Sequence, residues 1–337
     1  MSSDITVAIV GAAGERHCLY LKDELNKQGA AAVILDTVAM PSFPLALRSG
    51  SRLGIEAAMD NNSCLSGYES GYNGQPLHPV HVFFLRALFL PTPSFDAGEI
   101  QEQIEREGYI AYAAQRERYA TWLSWLKCLT LHGKLLINPV DTLLLHFAKP
   151  YQIEMLRMAG IPVPDTLVTG NGDDVLSFSR YRDVIYKPVA GGAHCHLLKE
   201  EDKQPERLKT LEYAPALFQE YVSGKDIRVF VLDGRILGAF QLEGEGVDYR
   251  AGQAAVTPIA ISETVAELCI RACRTVGLLF SGVDLKMRKD GSFVMLECNP
   301  SPMFEGFDRT APISIVSQLA AYMIDQAHAR RQIAIPR

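Results

Sequence analysis

An α/β unit followed by an α+β unit is the fold class this sequence predicts, and three observations predict it. Residues 1–137 open on a strand–turn–helix–strand pattern of the doubly wound kind. Beyond Asn138-Pro139, strand-like runs pair across Asp233-Gly234 and Asp290-Gly291, two strong hairpin signals. Helical patterns at 264–276 and 313–328 accompany those runs.

Residues 5–10 read as a strand, Gly11-Ala12-Ala13-Gly14 as a turn, and residues 18–28 as a helix ended by Gly29. A second strand at 32–35 ends in Asp36. Such a start could hold a dinucleotide, with Asp36 on a ribose. The glycines, however, are spaced G-x-x-G where that fingerprint needs G-x-G-x-x-G, so a structural start is the better reading. Residues 60–79, rich in Asn, Ser, Gly and Tyr, read as an irregular surface loop. From 96 to 131 the pattern is helical, and Tyr112, Tyr119, Trp122 and Trp125 suit packing on the sheet. Residues 135–137 form a short strand that closes the first domain. In the second, Pro150 suits the first position of a helix over 151–159, Gly160 suits its C-cap, and Pro162 and Pro164 prevent its continuation. Strands follow at 184–187, 217–222, 227–232, 236–240, 282–287 and 293–298.

With 48% hydrophobic and 21% charged residues over 337 positions, the composition is that of a globular protein of two or three packed units. A net charge of −6 supplies no single-sign field for nucleic acid. The N-terminus lacks the basic and apolar regions of a signal peptide. No apolar run reaches the roughly 20 residues that cross a bilayer. The seven cysteines form no C-x-x-C pair, and Cys269 and Cys273, one helical turn apart, read as small buried hydrophobes. A cytoplasmic, reduced protein without nucleic-acid or membrane partners is the expectation.

The hairpin at 283–299 carries the sharpest chemical signal. If Asp290-Gly291 is a two-residue turn, Lys289 faces Ser292, and counting back sets Asp284 opposite Glu297. Alternation then gives one apolar face of Val283, Leu285, Met287, Val294, Leu296 and Cys298. The other face carries Asp284, Lys286, Met295, Glu297 and Asn299. Opposed carboxylates destabilise a sheet unless something compensates them. A hard cation would: Mg²⁺ takes one or two carboxylates and completes its shell with waters and phosphate oxygens, and Asn299 adds a neutral oxygen. The plain alternative is a solvated polar face with Lys286 as counter-charge, and a three-residue turn would break the opposition.

A metal-bound triphosphate also needs cations and backbone N–H groups. Lys187 ends a strand and enters a loop containing Gly191-Gly192, as a flexible cover over phosphates would be built. Lys149, just before Pro150, and Arg250, in the polar loop 243–253, are further candidates. Gln219-Glu220-Tyr221-Val222, followed by Ser-Gly-Lys-Asp226-Ile-Arg228, reads as strand, hinge and strand. Such a hinge suits adenine, and its acid suits ribose hydroxyls. His194, Cys195 and His196 sit too close on one loop to make a complete zinc set.

Taken in order, these pieces resemble the ATP-grasp superfamily, and within it the branch of the ribosomal-protein-S6 glutamate ligase. The resemblance runs over residues 138–324 and rests on Lys149 with its helix, Ile185-Tyr186-Lys187-Pro188, Gln219-Glu220-Tyr221-Val222, Gly224-Lys225-Asp226-Ile227-Arg228, Tyr249-Arg250, Val283-Asp284 and Glu297-Cys298-Asn299-Pro300-Ser301-Pro302. The segment 304–310 matches as well. It implies the ATP-grasp fold, two α+β lobes gripping ATP over 138–330 with a hinge near 219–225, after a pre-ATP-grasp α/β domain over 1–137. It implies that Lys149, Lys187 and Arg250 contact phosphates, and that Gln219, Glu220, Tyr221 and Val222 hold adenine. Asp226 would take the ribose, and Asp284, Glu297 and Asn299 would hold two Mg²⁺ or Mn²⁺ ions. Arg228 would lie near the transferring phosphate or the substrate carboxylate, completing a catalytic set with Arg250 and Lys187.

The implied reaction is carboxylate–amine ligation: ATP converts a carboxylate to an acyl phosphate, and an amine displaces phosphate to give an amide. Three departures leave the substrate open. The loop at 190–196 is poorer in glycine than is usual in the family, Ala251 and Gly252 stand where the glutamate ligase has Ser and Asn, and the first domain is longer. An amino acid is one candidate. A peptide is the other, as in the microviridin-type ligases, which residues 138–139 and 164–167 also resemble. The long first domain favours a peptide or other large partner. An ATP-binding regulator of synapsin type, without ligase activity, is the alternative; the intact metal triad and both lysines argue against it. A homo-oligomer is compatible with the resemblance.

Overall fold

The computed structural model describes residues 5–39, 42–49, 68–87, 102, 105–106, 108–190, 194–244 and 255–333. Contacts divide the chain into two compact units, residues 1–140 with 316–337 and residues 141–315. Among the described residues, no helix is long and apolar enough to cross a membrane.

The first unit runs β1 (Thr6–Gly11), α1 (Arg16–Lys27), β2 (Ala31–Asp36), β3 (Leu45–Ser49), β4 (Tyr68–Tyr72), β5 (Gln75–Pro76), β6 (Val82–Leu85), α2 (Tyr109–Leu131) and β7 (Leu135–Ile137). Four strands make a parallel sheet in the order β2-β1-β6-β7. Central parallel strands are covered on both faces and read as continuous apolar runs, and Val7 to Val10 and Val82 to Leu85 are all buried. On α2, Trp125 is fully buried and meets Phe83 edge-on with ring centroids 5.5 Å apart. The aromatic half of that helix therefore packs on the sheet as its pattern predicts. Asp36 does not behave as a ribose ligand: its Oδ1 accepts the N–H groups of Ala13 (3.3 Å) and Val38 (3.1 Å), tying the two loops at the strand ends together.

One expectation needs correction here. Where residues 60–79 read as an irregular loop, the described part forms a hairpin of β4 and β5, which joins β3 in a separate antiparallel sheet. Asn73 (φ 49°) and Gly74 (φ 74°) make its turn. Asn-Gly is the sequence signature of such a turn, and it was masked by the polarity of its neighbours.

The second unit runs α3 (Lys149–Met158), β8 (Thr166–Thr169), α4 (Gly172–Phe178), β9 (Val184–Pro188), β10 (His196–Leu197), α5 (Pro205–Lys209), β11 (Ala216–Glu220), β12 (Lys225–Leu232), β13 (Arg235–Glu243), β14 (Ala255–Pro258), α6 (Glu263–Thr275), β15 (Phe280–Met287), β16 (Phe293–Asn299) and α7 (Glu305–Asp308). A final helix, α8 (Ile315–Ile333), falls almost wholly in the first unit. The second unit holds two antiparallel sheets, ordered β10-β9-β11-β8 and β14-β13-β12-β15-β16. Each has a core of its own. On the smaller sheet, Val184 and Phe218 close over Val175 of α4. On the larger, Ile227, Val229, Val231, Val283, Leu285, Met295 and Cys298 pack against Cys269, Ala272 and Cys273 of α6 and Leu156 of α3. Cys269 and Cys273 are thus core residues, and burial pushes the Cys269 thiol up to about 12.

Candidate functional site

The two strands that carry the candidate metal ligands differ from their expected register in two places, and the differences cancel. Met287 pairs with Phe293, and the Arg288 N–H donates to Ser292 O at 2.7 Å, so Lys289, Asp290 and Gly291 form a three-residue turn. Only Gly291 of these has a left-handed backbone (φ 82°), as in three-residue hairpin loops. A two-residue turn was the wrong expectation. A bulge next to Asp284 then restores the count: Leu285 pairs with Met295, Asp284 with Glu297, and Leu296 is the extra residue. Asp284 therefore does oppose Glu297. The faces change with the bulge, because Met295 is fully buried in the core and Leu296 is only half-buried.

At Asp233-Gly234 the two-residue turn is present, with φ 44° and 75°. On β12, Asp226 and Arg228 share a face by alternation, and the register sets Asp226 beside Lys286 and Arg228 beside Asp284. The reverse face, with Ile227 and Val229, enters the core. One side of the larger sheet thus carries Asp226, Arg228, Asp284, Lys286, Glu297 and Asn299, and farther along it Phe230, Phe240 and Phe280. Phe307 meets Phe230 (5.1 Å) and Phe240 (5.4 Å) edge-on. The Arg228 guanidinium lies 5.6 Å from the Phe307 ring centre.

Every carboxylate on this face has a cation. Arg228 donates through Nε to Asp284 Oδ1 and through Nη2 to Asp284 Oδ2, the latter at 2.9 Å, in the fork geometry that arginine offers a carboxylate. Lys149 donates to Glu297 Oε2 from the first residue of α3. Lys286 holds Asp226 at 2.8 Å. Asn299 Nδ2 donates to Asp284 Oδ2 at 3.0 Å and to Gly282 O at 3.2 Å, fixing the amide so that its oxygen points away from both. Gly282 makes room for the arginine: a Cβ there would lie 3.0 Å from Arg228 Nη1 and 2.8 Å from Pro302 Cβ.

The two opposed carboxylates differ electrostatically. Burial raises the Glu297 carboxyl, but Lys149 and then Lys187 outweigh it and hold the group at about 2. Burial raises Asp284 as well; Arg228 opposes the rise and the neighbouring Glu297 adds to it, leaving Asp284 above its ordinary value. Lys187 lies on β9 of the smaller sheet and donates to Gln219 Oε1 at 3.4 Å. Gln219, 1% exposed, is fixed in turn by donating to Thr166 Oγ1 at 2.9 Å.

The hinge residues lie at the exit of β11. The N–H groups of Glu220 and Tyr221 donate to Asp165 O (2.9 Å) and Asp183 O (2.8 Å). The Glu220 carboxylate lies 3.6 Å from Arg288. Val222 is buried. Arg250 and Gly191-Gly192 lie outside the described residues. His194, Cys195 and His196 do not converge with other ligands: among the described residues, no three of His, Cys, Asp or Glu are grouped to hold a metal ion. Two carboxylates and an amide oxygen, with no thiolate or imidazole among them, are a hard donor set that fits Mg²⁺ or Mn²⁺.

Sequence reasoning missed two participants. Arg288, beside Glu220, reads as an ordinary turn residue. Gln152, on α3, carries no signal in the sequence, because its partner, Cys298, is 146 positions away.

A family model described as the RimK-like ATP-grasp domain matches residues 148–323, just over half of the chain. Beta-citrylglutamate synthase B of Danio rerio is 26% identical over 225 residues, covering 59% of this chain and 53% of that protein, so the chain spans about half the length of this relative. Tetrahydromethanopterin:alpha-L-glutamate ligase of Methanocaldococcus jannaschii is 27% identical over 203 residues, with 56% and 69% covered. The solved structure of the ATP-grasp ligase PsnB, complexed with a phosphomimetic variant of its minimal precursor, Mg and ADP, superposes with a TM-score of 0.82 at 29% identity. That likeness covers 96% of this chain and 99% of PsnB, well beyond the span of the family model.

Proposed function

The chain belongs to the RimK-like ATP-grasp family, and from that premise we propose that it is an ATP-dependent carboxylate–amine ligase (ADP-forming) acting on a peptide. The observation that carries the proposal is the facing pair Asp284 and Glu297, with Asn299 beside them and Lys149, Lys187 and Arg228 around them. Asp284, Glu297 and Asn299 would hold Mg²⁺ or Mn²⁺, two ions in the full assembly. The chemistry that bound MgATP supplies is activation of a carboxylate by its γ-phosphoryl group.

This chain's residues would bind and orient. Lys149, now on Glu297, and Lys187, now on Gln219, would turn to phosphate oxygens, as flexible side chains with three donors each can. Arg228 would orient the Asp284 carboxylate that it bonds, and its guanidinium, 5.6 Å from the Phe307 ring centre, would be available to a substrate carboxylate at that end of the face. Arg250 would add a phosphate contact. With the Glu220 and Tyr221 N–H groups already committed, adenine would rest on the Gln219–Val222 segment chiefly through Val222. Asp226 would exchange part of its bond to Lys286 for ribose hydroxyls. The division proposed is a pre-ATP-grasp domain over 1–137 and an ATP-grasp domain over 138–330.

A peptide is favoured over a free amino acid because the likeness to PsnB, a structure with its precursor bound, extends over 96% of the chain, whereas relatives named for glutamate match between 51% and 75% of it. ADP release by the purified chain tests this, with MgATP and either single amino acids or carboxylate-bearing peptides. Stimulation by peptides with amide formation is expected. Stimulation by glutamate alone would move the substrate to an amino acid, and nucleotide binding that no substrate turns into ADP would favour the regulator of synapsin type.

A further inference from the structure

Gln152 of helix α3 bonds the backbone at the outer edge of β16. Gln152 is 2% exposed, and its amide makes a pair of bonds to a single residue: Nε2 donates to Cys298 O at 3.0 Å, and Oε1 accepts from Cys298 N at 2.8 Å. Strand β16 is the edge of its sheet, so at Cys298 its backbone groups point away from β15 and have no strand to meet. Gln152 takes the place of that strand. Farther along the same edge, Met295 N donates to Pro162 O at 2.8 Å.

The position of this bond gives it consequences. Cys298 lies between Glu297 and Asn299, whose side chains point to the opposite face from its own. Fixing its backbone fixes both neighbours. Gln152 is also three residues from Lys149, which places the two side chains on one helical face about 5–6 Å apart. Lys149 reaches Glu297 from there. One amide therefore sets the spacing between the helix that presents the lysine and the strand that presents two of the three oxygen ligands.

We infer that Gln152 is a positioning residue for the metal–nucleotide site, acting through Lys149, Glu297 and Asn299 without touching nucleotide itself. The inference rests on the reading of those residues as a MgATP site. Packing alone does not require an amide here, since Leu156 on the same helix is fully buried in the apolar core. What an apolar side chain could not supply is the donor and acceptor that Cys298 uses.

Calorimetric titration of the folded protein with MgADP, without peptide, tests the inference. Gln152→Met keeps the length of the side chain and removes both bonds; Leu156→Ala destabilises the same helix from its core side. The expectation is that Gln152→Met, still folded by circular dichroism, binds MgADP about 10- to 100-fold more weakly, as loss of a residue orienting metal ligands does. Leu156→Ala should lower the unfolding temperature but leave the affinity of the folded protein near wild type. Equal affinities for Gln152→Met and wild type would overturn the inference, as would equal losses in both variants. Wild-type protein that does not bind MgADP would instead overturn the nucleotide reading, and the inference with it.

Discussion

At the scale of residues, the opposed carboxylates prove to be compensated from within. The sequence supports an argument that Asp284 and Glu297 repel unless a cation lies between them, from which Glu297→Ala should cost little stability. The structure changes that expectation, because Lys149 is bonded to Glu297 and its side chain is only 18% exposed. Glu297→Ala should therefore destabilise the protein, by about 1–3 kcal/mol for a partly buried charge left without its partner, measured by urea unfolding. A pH series gives the same pair a second test. Glu297 is held at about 2 against an ordinary 4.5. A depressed carboxyl contributes stability that is full above its unfolded value and is lost as pH falls through its folded value. The stability gap between wild type and Glu297→Gln should then be constant above about pH 5 and narrow as the pH falls from 4.5 toward 2. Lys187→Ala should weaken ATP binding roughly 10- to 100-fold, corresponding to about 1.5–3 kcal/mol for a charge-assisted hydrogen bond. An unchanged dissociation constant would remove Lys187 from the phosphate role.

At the scale of elements, the β15–β16 hairpin shows what sequence can and cannot convey. Asp290-Gly291 marks the turn correctly, but the loop length depends on how the strands twist into the sheet, which two residues do not encode. The bulge at Leu296 is equally silent in the sequence, and only the two together return Asp284 to Glu297. Asp233-Gly234, where turn type and loop length agree, was legible throughout. Deleting Leu296 isolates the bulge. Side chains alternate with period two, so removing one residue moves Glu297 and Asn299 out of step with Asp284 or forces the turn to slip. The deletion variant should retain sheet content by circular dichroism and lose metal-dependent nucleotide binding; retained binding would mean that the bulge has no part in aligning the ligands. Gln152 marks the other limit of legibility. A glutamine on a helix has no readable partner until the fold brings the edge of β16 against it.

At the scale of the whole molecule, the strands β1, β2, β7, β9, β11, β12, β13, β15 and β16 follow from patterns the sequence displays, whereas β6, β8, β10 and β14, which complete the same three sheets, were not read from it. The β4–β5 hairpin was hidden because a polar, glycine-bearing strand such as β4 resembles a loop. The proposed ligase reading, resting on membership of the RimK-like ATP-grasp family, gives the geometry of one face a purpose, which would be to bring phosphate, metal and carboxylate together. The most direct test of that purpose is electron paramagnetic resonance of Mn²⁺ titrated with ADP into wild type and Glu297→Gln. Wild type should bind Mn²⁺ tightly only when ADP is present, and the folded Glu297→Gln protein should lose most of that nucleotide-dependent binding. Mn²⁺ binding by Glu297→Gln equal to that of wild type would contradict the assignment of this hairpin as the metal site.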